Sequence, residues 1–449
     1  MFQNPLSIWI GIAFLFASTI SNAQKTNTSE KLIGHWEGAF IKNNSYQKIE
    51  IEFSKRDQKI FSFQIMDEWH PSFGEFEVLV SIDSIGTIKF NTGLGKALLT
   101  LDGNNLELIG NLNGYNPAIY LHLKKVANPP RPSFILEELN VSTEAGSIYG
   151  HLHVPKIRSK TAVILVGGRG CYPDQTKYNL YAKFFRKYGI SVLAYQKRGT
   201  GKSSGNCNQA TIGDLSNDVI ALKRYLENHS NGYEKIGVLG ISAGGWTMTK
   251  ASEKTNFDFM ISIVGPSTSV REQQMQSMHY GADFYQLSSK AKENIEQYTN
   301  LMFDAKPNVK GYQSMADLLA LAKKEKWNVL LEDTDVPKDA NSMEKLWVRR
   351  HNFDPRKALA SFENPFLVIY GSRDWIVPQK ENVDRLKELF KGREKLLTTV
   401  VAYGAEHGME KEAKMIAVND RQSYWHFYRI SSQVRIEIVK FLEKNKLID

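Results

Sequence analysis

The strongest chemical signal in the sequence is a serine in a sharp, glycine-flanked turn. Ser242 lies in Gly240-Ile241-Ser242-Ala243-Gly244, directly after the apolar run Ile236–Leu239 and just before a helical pattern from Trp246 to Ala251. A serine hydroxyl becomes a useful nucleophile only when a base takes its proton and an acid holds that base in one tautomer. Small neighbours suit a strained strand-to-helix turn, because adjacent chains pack close to it, and this is the nucleophile-elbow arrangement. The motif alone also fits a glycine-serine turn without chemistry. Asp374 follows the apolar run Leu367–Tyr370, and His407 lies in Tyr403-Gly404-Ala405-Glu406-His407-Gly408, after an expected strand Leu396–Val401. The chain order Ser, Asp, His, with each residue in a loop after a strand, fits Ser242 as nucleophile, Asp374 as acid and His407 as base. Glu406 is a rival acid by proximity, but neighbours in sequence usually point apart, which favours Asp374.

Acyl chemistry also needs donors for an oxyanion. The backbone N–H of Ala243, next after the nucleophile, is one. The second is expected from Val166-Gly167-Gly168-Arg169-Gly170, at the end of the apolar run that starts at Val163. The amide of Arg169 is the candidate and that of Gly168 the alternative. The Arg169 side chain either meets an anionic substrate group or, as the preferred reading, pairs with a loop carboxylate. The segment Gly199-Thr200-Gly201-Lys202-Ser203 lacks the spacing of a phosphate-binding loop and reads as a tight turn. His151 and His153 alternate on one strand face, but no further ligands are spaced to complete a metal site. His35, His70, His122 and His229 read as structural, His279 and His351 as residues of a helical segment, and His426 as part of the C-terminal helix region. No metal or cofactor is expected.

These residues need a scaffold that brings distant loops to one edge. Val163–Val166, Val192–Ala194, Ile236–Leu239, Met260–Val264 and Leu367–Tyr370 are apolar throughout and are separated by helical patterns such as Asp214–Leu226. That alternation predicts an α/β domain around a mostly parallel sheet covered on both faces. Residues 267–351 contain no good strand and read as a helical cap inserted after a sheet strand. Trp246, Tyr280, Phe284 and Tyr285 are either pocket walls or core. Before Ala127-Asn128-Pro129-Pro130-Arg131-Pro132, short alternating runs such as Ile49–Phe53, Val78–Ile82 and Ile119–Leu121, punctuated by turn residues, predict a small antiparallel sheet or barrel. Trp36, between glycines, reads as a core residue at a strand entry.

The chain of 449 residues is 42% hydrophobic and 23% charged, which is ordinary globular composition, and its length exceeds one typical domain. A net charge of +9 without a dense basic block gives no nucleic-acid surface. Residues 8–17 are apolar and are followed by Ser21-Asn22-Ala23, which predicts a signal peptide cleaved after Ala23, although no Lys or Arg precedes the core. The expected divisions are a signal peptide at 1–23, a β-domain at 24–126, a Pro-rich linker at 127–133 and the α/β domain at 134–449. The mature protein is expected to be exported, periplasmic or secreted, without membrane insertion.

Together the motifs around Gly167-Gly168-Arg169, Lys197-Arg198-Gly199, Gly240–Trp246, Gly265-Pro266, Gly371–Asp374 with Val377-Pro378, and His407-Gly408 resemble the α/β-hydrolase superfamily. Within it they look most like secreted bacterial EstD-like serine esterases, relatives of dienelactone-hydrolase and prolyl-oligopeptidase-type enzymes. The resemblance covers roughly Phe134 to Asp449 and implies Ser242 as nucleophile, Asp374 as acid and His407 as base. Two departures touch loop geometry: Gly167 stands where many relatives have His, and Gln196 where many have Asp. The implied topology puts Cys171 and Cys207 on neighbouring strand-end loops, so a disulfide between them is the expectation and two free thiols the alternative. It would close a loop of about 36 residues, worth ~3–4 kcal/mol in the chain-entropy model. The expected function is hydrolysis of a small carboxylic ester or acylated substrate through an acyl-enzyme. A peptidase or amidase of the same chemistry is the alternative, and a non-catalytic binding protein on the same fold is a third reading.

Overall fold

A computed structural model describes residues 28–42, 45–65, 75–92, 94–116, 118–127, 134–144, 146–177, 179–413 and 427–448. The expected signal peptide, residues 128–133 of the linker, His70 and His426 lie outside the described residues. Two compact units are present, one holding Met1–Pro132 with Glu412–Arg429 and the other Ser133–Lys411 with Ile430–Asp449.

In the first unit, β1 (Gly34–Lys42), β2 (Ser45–Arg56), β3 (Lys59–Ile65), β4 (Glu75–Ile82), β5 (Ile88–Thr92), β6 (Gly95–Leu101), β7 (Glu107–Leu112) and β8 (Ile119–Val126) form a closed antiparallel barrel. The register of β1 with β8 closes it. Closure removes the edge strands that an open sheet would leave unpaired. Alternation sends Trp36, Phe40, Ile49, Ile51, Phe53, Phe90 and Leu121 to a filled interior. Trp36 lies within β1, fully buried, and its indole N–H donates to the carbonyl of Leu32 at 2.8 Å.

The second unit is built on an eight-stranded sheet of order β16-β15-β14-β13-β11-β12-β10-β9. Its strands are β9 (Phe134–Thr143), β10 (Gly146–Pro155), β11 (Thr161–Val166), β12 (Ser191–Tyr195), β13 (Lys235–Ile241), β14 (Met260–Ile263), β15 (Phe366–Gly371) and β16 (Leu397–Ala402). β9 and β10 form an antiparallel hairpin and β10 pairs antiparallel with β12; every other neighbouring pair is parallel. Along β11, Ala162, Ile164 and Val166 enter one core while Val163 and Leu165 enter the other. Both faces are therefore apolar, which is why these strands read as continuous apolar runs. The helices α1 (Leu180–Arg186), α2 (Ile212–Glu227), α3 (Gly244–Ser252), α9 (Gln379–Leu389) and α10 (Ser432–Lys444) cover the two faces.

Between β14 and β15 lies a helical insertion: α4 (Val270–Phe284), α5 (Ser289–Asp304), α6 (Val309–Ala322), α7 (Trp347–Arg350) and α8 (Arg356–Ser361), with short 3₁₀ turns. Ser269 and Glu272 form a capping box at the start of α4, satisfying amides that the first helical turn leaves free. The insertion carries its own core, in which Met278, Met302, Trp327 and Trp347 pack with Trp246 of α3. No described helix is long and apolar enough to cross a membrane.

Candidate active site

Parallel strands bring loops from distant parts of the chain to one edge, at their C-terminal ends, where open α/β sheets form sites. Ser242 leaves β13 with φ of +52°, a left-handed conformation that a non-glycine residue rarely adopts. The flanking glycines make this turn sterically possible. A Cβ on Gly240 would stand 2.6 Å from the carbonyl oxygen of Gly244, and one on Gly244 would stand 2.4 Å from that of Val166. The turn is also held by the Ser242 N–H, which donates to Ile263 at 2.9 Å. Val264, at the end of the neighbouring strand, is a second strained residue, with φ of +49°. A β-branched side chain there is a pronounced outlier.

The structure brings Ser242, His407 and Asp374 together. Nε2 of His407 is 2.9 Å from Oγ of Ser242, and Nδ1 of His407 is 2.9 Å from Oδ2 of Asp374. The Asp374 side chain is fully buried. Its Oδ1 accepts the backbone N–H groups of Ile376 and Val377, each at 2.9 Å, so neither oxygen lacks a partner. The acid and base loops are sewn together: Ser372 and Arg373 donate backbone N–H bonds to Ala402 and Ala405, and the Ser372 hydroxyl accepts the N–H of Gly404. Glu406 turns away to Arg373, at 3.4 Å. Burial pulls the His407 imidazole toward its neutral form, but the charge and hydrogen bond of Asp374 outweigh this and hold its pKa above the ordinary histidine value.

The loop after β11 runs beside the serine. A Cβ on Gly168 would stand 3.2 Å from the Cβ of Ser242. Among the described residues, neither the Arg169 amide nor the Ala243 amide donates to a carbonyl or side chain. The Arg169 guanidinium pairs with Asp335 at 2.7 Å and Glu332 at 3.0 Å, and lies over the Trp347 ring. Its charge is thus met by carboxylates of the helical insertion. Cys171 and Cys207 are joined, with Cα atoms 5.7 Å apart. A cavity of about 70 Å³ opens beside Gly168 and Ala243, lined also by Arg169, Lys197, Trp347 and His351.

Several residues here have no role in the sequence reading. The buried Lys197 ammonium donates to the carbonyls of Gly168 and Gly170 at 2.6 and 2.8 Å. Its place just past β12, the strand next to β11, was the available signal. Asp335 and Glu332 gave none, because they lie more than 160 residues from Arg169 and nothing local marks the pairing. Of the proposed aromatic walls, Trp246 is core, whereas Phe284 and Tyr285 are roughly half exposed and pack on Trp375, the residue after Asp374. His151 and His153 both meet Thr176, through its hydroxyl and its carbonyl oxygen, and play a packing part.

The family described as "Serine aminopeptidase, S33" matches residues 158–414. The human and Pongo abelii mitochondrial palmitoyl-protein thioesterase ABHD10 are each 26% identical over 103 residues, 23% of this chain. The match spans only about a third (32%) of those relatives. Among solved structures, the Pyrococcus furiosus esterase Pf2001 aligns with a TM-score of 0.46 at 19% identity, over 71% of this chain and 98% of its own. The Pyrococcus horikoshii acylaminoacyl peptidase aligns with a TM-score of 0.41 at 15% identity, over 82% of this chain and 55% of its own. The family match covers more than half of the sequence, and the chain belongs to the serine aminopeptidase S33 family of α/β-hydrolases.

Proposed function

We propose that this protein hydrolyses small carboxylic esters through an acyl-enzyme. The hydrogen-bonded series Ser242, His407, Asp374 beside two amides that donate to no described residue carries the reading. Oγ of Ser242 attacks the acyl carbon as Nε2 of His407 takes its proton, and Asp374 stabilises the imidazolium. The tetrahedral oxyanion is received by the amides of Ala243 and Arg169, reinforced by the N-terminus of α3. His407 then returns the proton to the departing alcohol, and water repeats the sequence on the acyl-serine. The helical insertion acts as a cap over this edge, supported by the pairing of Arg169 with Glu332 and Asp335.

An aminopeptidase must also hold a protonated α-amine, which calls for a free carboxylate near the nucleophile. Glu332 and Asp335 are engaged by Arg169, Glu406 by Arg373, and Asp374 by His407, while burial pushes the Asp174 carboxyl, beside Gly167, toward its neutral form. This favours an ester over an aminoacyl amide. The disulfide agrees with an exported, oxidising location. The test is a comparison of short p-nitrophenyl esters with aminoacyl p-nitroanilides, on wild type and Ser242→Ala. Ester turnover is expected to dominate and to fall by ~10⁴-fold or more in the variant. A preference for the anilides, or an unchanged variant, would overturn the proposal.

A further inference from the structure

The outer wall of the barrel carries a cluster that hydrolase chemistry leaves unused. β1 and β2 are paired so that His35 faces Glu52 and Glu37 faces Glu50. All four side chains point away from the core, because Trp36 and the alternate residues Ile49, Ile51 and Phe53 fill the interior. Yet His35 is buried, with its side chain only 10% exposed. Its Nδ1 stands 3.1 Å from Oε2 of Glu52. A carboxylate only accepts, so Nδ1 carries a proton there. Nε2 is shut away from solvent and has no hydrogen-bond partner among the described residues. It faces Oε1 of Glu37 and Oε2 of Glu50, each at 3.7 Å.

This arrangement is costly as it stands. Like charges directly opposite across a strand pair destabilise it, and the buried Nε2, 3.7 Å from each carboxylate, is hydrogen-bonded to neither. Lys48 reaches Glu50 through the other carboxylate oxygen, Oε1, at 3.2 Å, and Lys124 stands opposite Glu37 on β8 without forming an ion pair with it within 4.0 Å among the described residues. A cation between the three remaining atoms would remove the conflict. One ligand atom from each of His35, Glu37 and Glu50 lies within 4.8 Å of the others. Ligand atoms about 2.0–2.2 Å from a tetrahedral zinc ion stand roughly 3.4 Å apart, so the two 3.7 Å distances from Nε2 need only a small contraction, and the carboxylate oxygens, within 4.8 Å of each other, need a side-chain rotation. One imidazole with two carboxylates suits a first-row transition ion better than calcium or magnesium, which prefer all-oxygen sets. Glu52 completes the pattern, because a metal-binding histidine commonly gives its second N–H to a carboxylate that fixes the tautomer.

We propose that His35, Glu37 and Glu50 bind a divalent transition-metal ion on the barrel wall, with Glu52 orienting the imidazole and water filling the open position. Glu37 and Glu50 are partly exposed, which leaves the ion a path from solvent.

The test uses the full chain without a polyhistidine tag, stripped with chelator and titrated calorimetrically with ZnCl₂ and separately with MgCl₂ near pH 7. Wild type is expected to take up one equivalent of Zn²⁺ that Mg²⁺ does not match. Glu37→Gln and Glu50→Gln should each weaken that uptake by about 100-fold, and Glu52→Gln by about 10-fold. His35→Gln should abolish it. If His35→Gln fails to fold, Co²⁺ titration of wild type and Glu37→Gln decides, since a tetrahedral site gives intense visible absorption that Glu37→Gln should lose. Absence of stoichiometric Zn²⁺ uptake, or equal uptake by wild type and both carboxylate variants, overturns the proposal.

Discussion

Lys197 holds the carbonyl oxygen of Gly168 at 2.6 Å from its ammonium nitrogen and that of Gly170 at 2.8 Å. The residue between them, Arg169, supplies a proposed oxyanion donor. Both of its neighbours are thus fixed by one buried cation, whose charged form burial opposes and Asp174 supports. Such preorganisation matters most where charge develops in the transition state.

Lys197→Met keeps the length and apolar stem of the side chain and removes both donors. We expect kcat to fall by about 10²-fold, the scale of losing one oxyanion donor, with KM for a short ester nearly unchanged. Steady-state kinetics with a thermal melt separates this from simple unfolding. A variant that loses stability but keeps kcat would show that the clamp serves only the fold.

The raised pKa of His407 fixes the sign of a pH dependence. The base must be neutral to accept the serine proton, so kcat/KM should drop as pH falls through that raised value, with the midpoint of the acidic limb above the ordinary histidine range. Stability runs the other way. A group whose folded pKa exceeds its unfolded one contributes stability that is full below the unfolded value and is lost as pH rises through the folded one. Activity therefore grows over the window in which this contribution fades. Asp374→Asn should lower the midpoint and cut kcat by ~10⁴-fold. A pH–rate profile for each protein tests this, and an acidic midpoint at or below the ordinary histidine value in wild type would sink it.

The Cys171–Cys207 bond joins the loop after β11 to the turn after β12, next to Gly170, whose carbonyl Lys197 holds. Its 36-residue separation is worth ~3–4 kcal/mol in the chain-entropy model. Reduction, or the pair Cys171→Ser and Cys207→Ser, should lower the urea midpoint accordingly and also reduce kcat through a looser oxyanion loop. Alkylation under denaturing, non-reducing conditions should find no free thiol. Two modified cysteines in that experiment would refute the bond.

The sheet and the order of the three site residues were legible because strands buried on both faces read as unbroken apolar runs. The barrel was less so, and β3 shows why. Its inward positions include Ser62 and Gln64, both fully buried, while Phe61 and Phe63 face outward. The Gln64 side-chain amide donates to the Ser62 hydroxyl and the Asn91 carbonyl, at 3.1 and 2.8 Å, so two polar side chains are held inside the barrel and the expected alternation is reversed. The β9–β10 hairpin escaped for a related reason: β9 is polar and only partly buried along most of its length. At the site, the limit was distance. Arg169 meets Asp335 across 166 residues, and the metal-like setting of His35 arises only when β2 lies beside β1.

Close packing at the elbow gives a last prediction. Gly244 starts α3, and a Cβ there would stand 2.4 Å from the carbonyl oxygen of Val166 and 2.8 Å from that of Gly167. Both are backbone atoms, which cannot step aside as a flexible side chain can. Gly244→Ala must therefore push the elbow away from the end of β11, the segment that leads into the Gly168–Arg169 loop. Helix propensity alone would favour the substitution, by up to about 1 kcal/mol. If propensity governed, the variant would be more stable and fully active. The backbone clash should do the reverse: a lower melting temperature and a kcat reduced by about 10²-fold are expected, because the nucleophile and the oxyanion donors no longer share one geometry. Melting curves and ester kinetics on this one variant decide between the two.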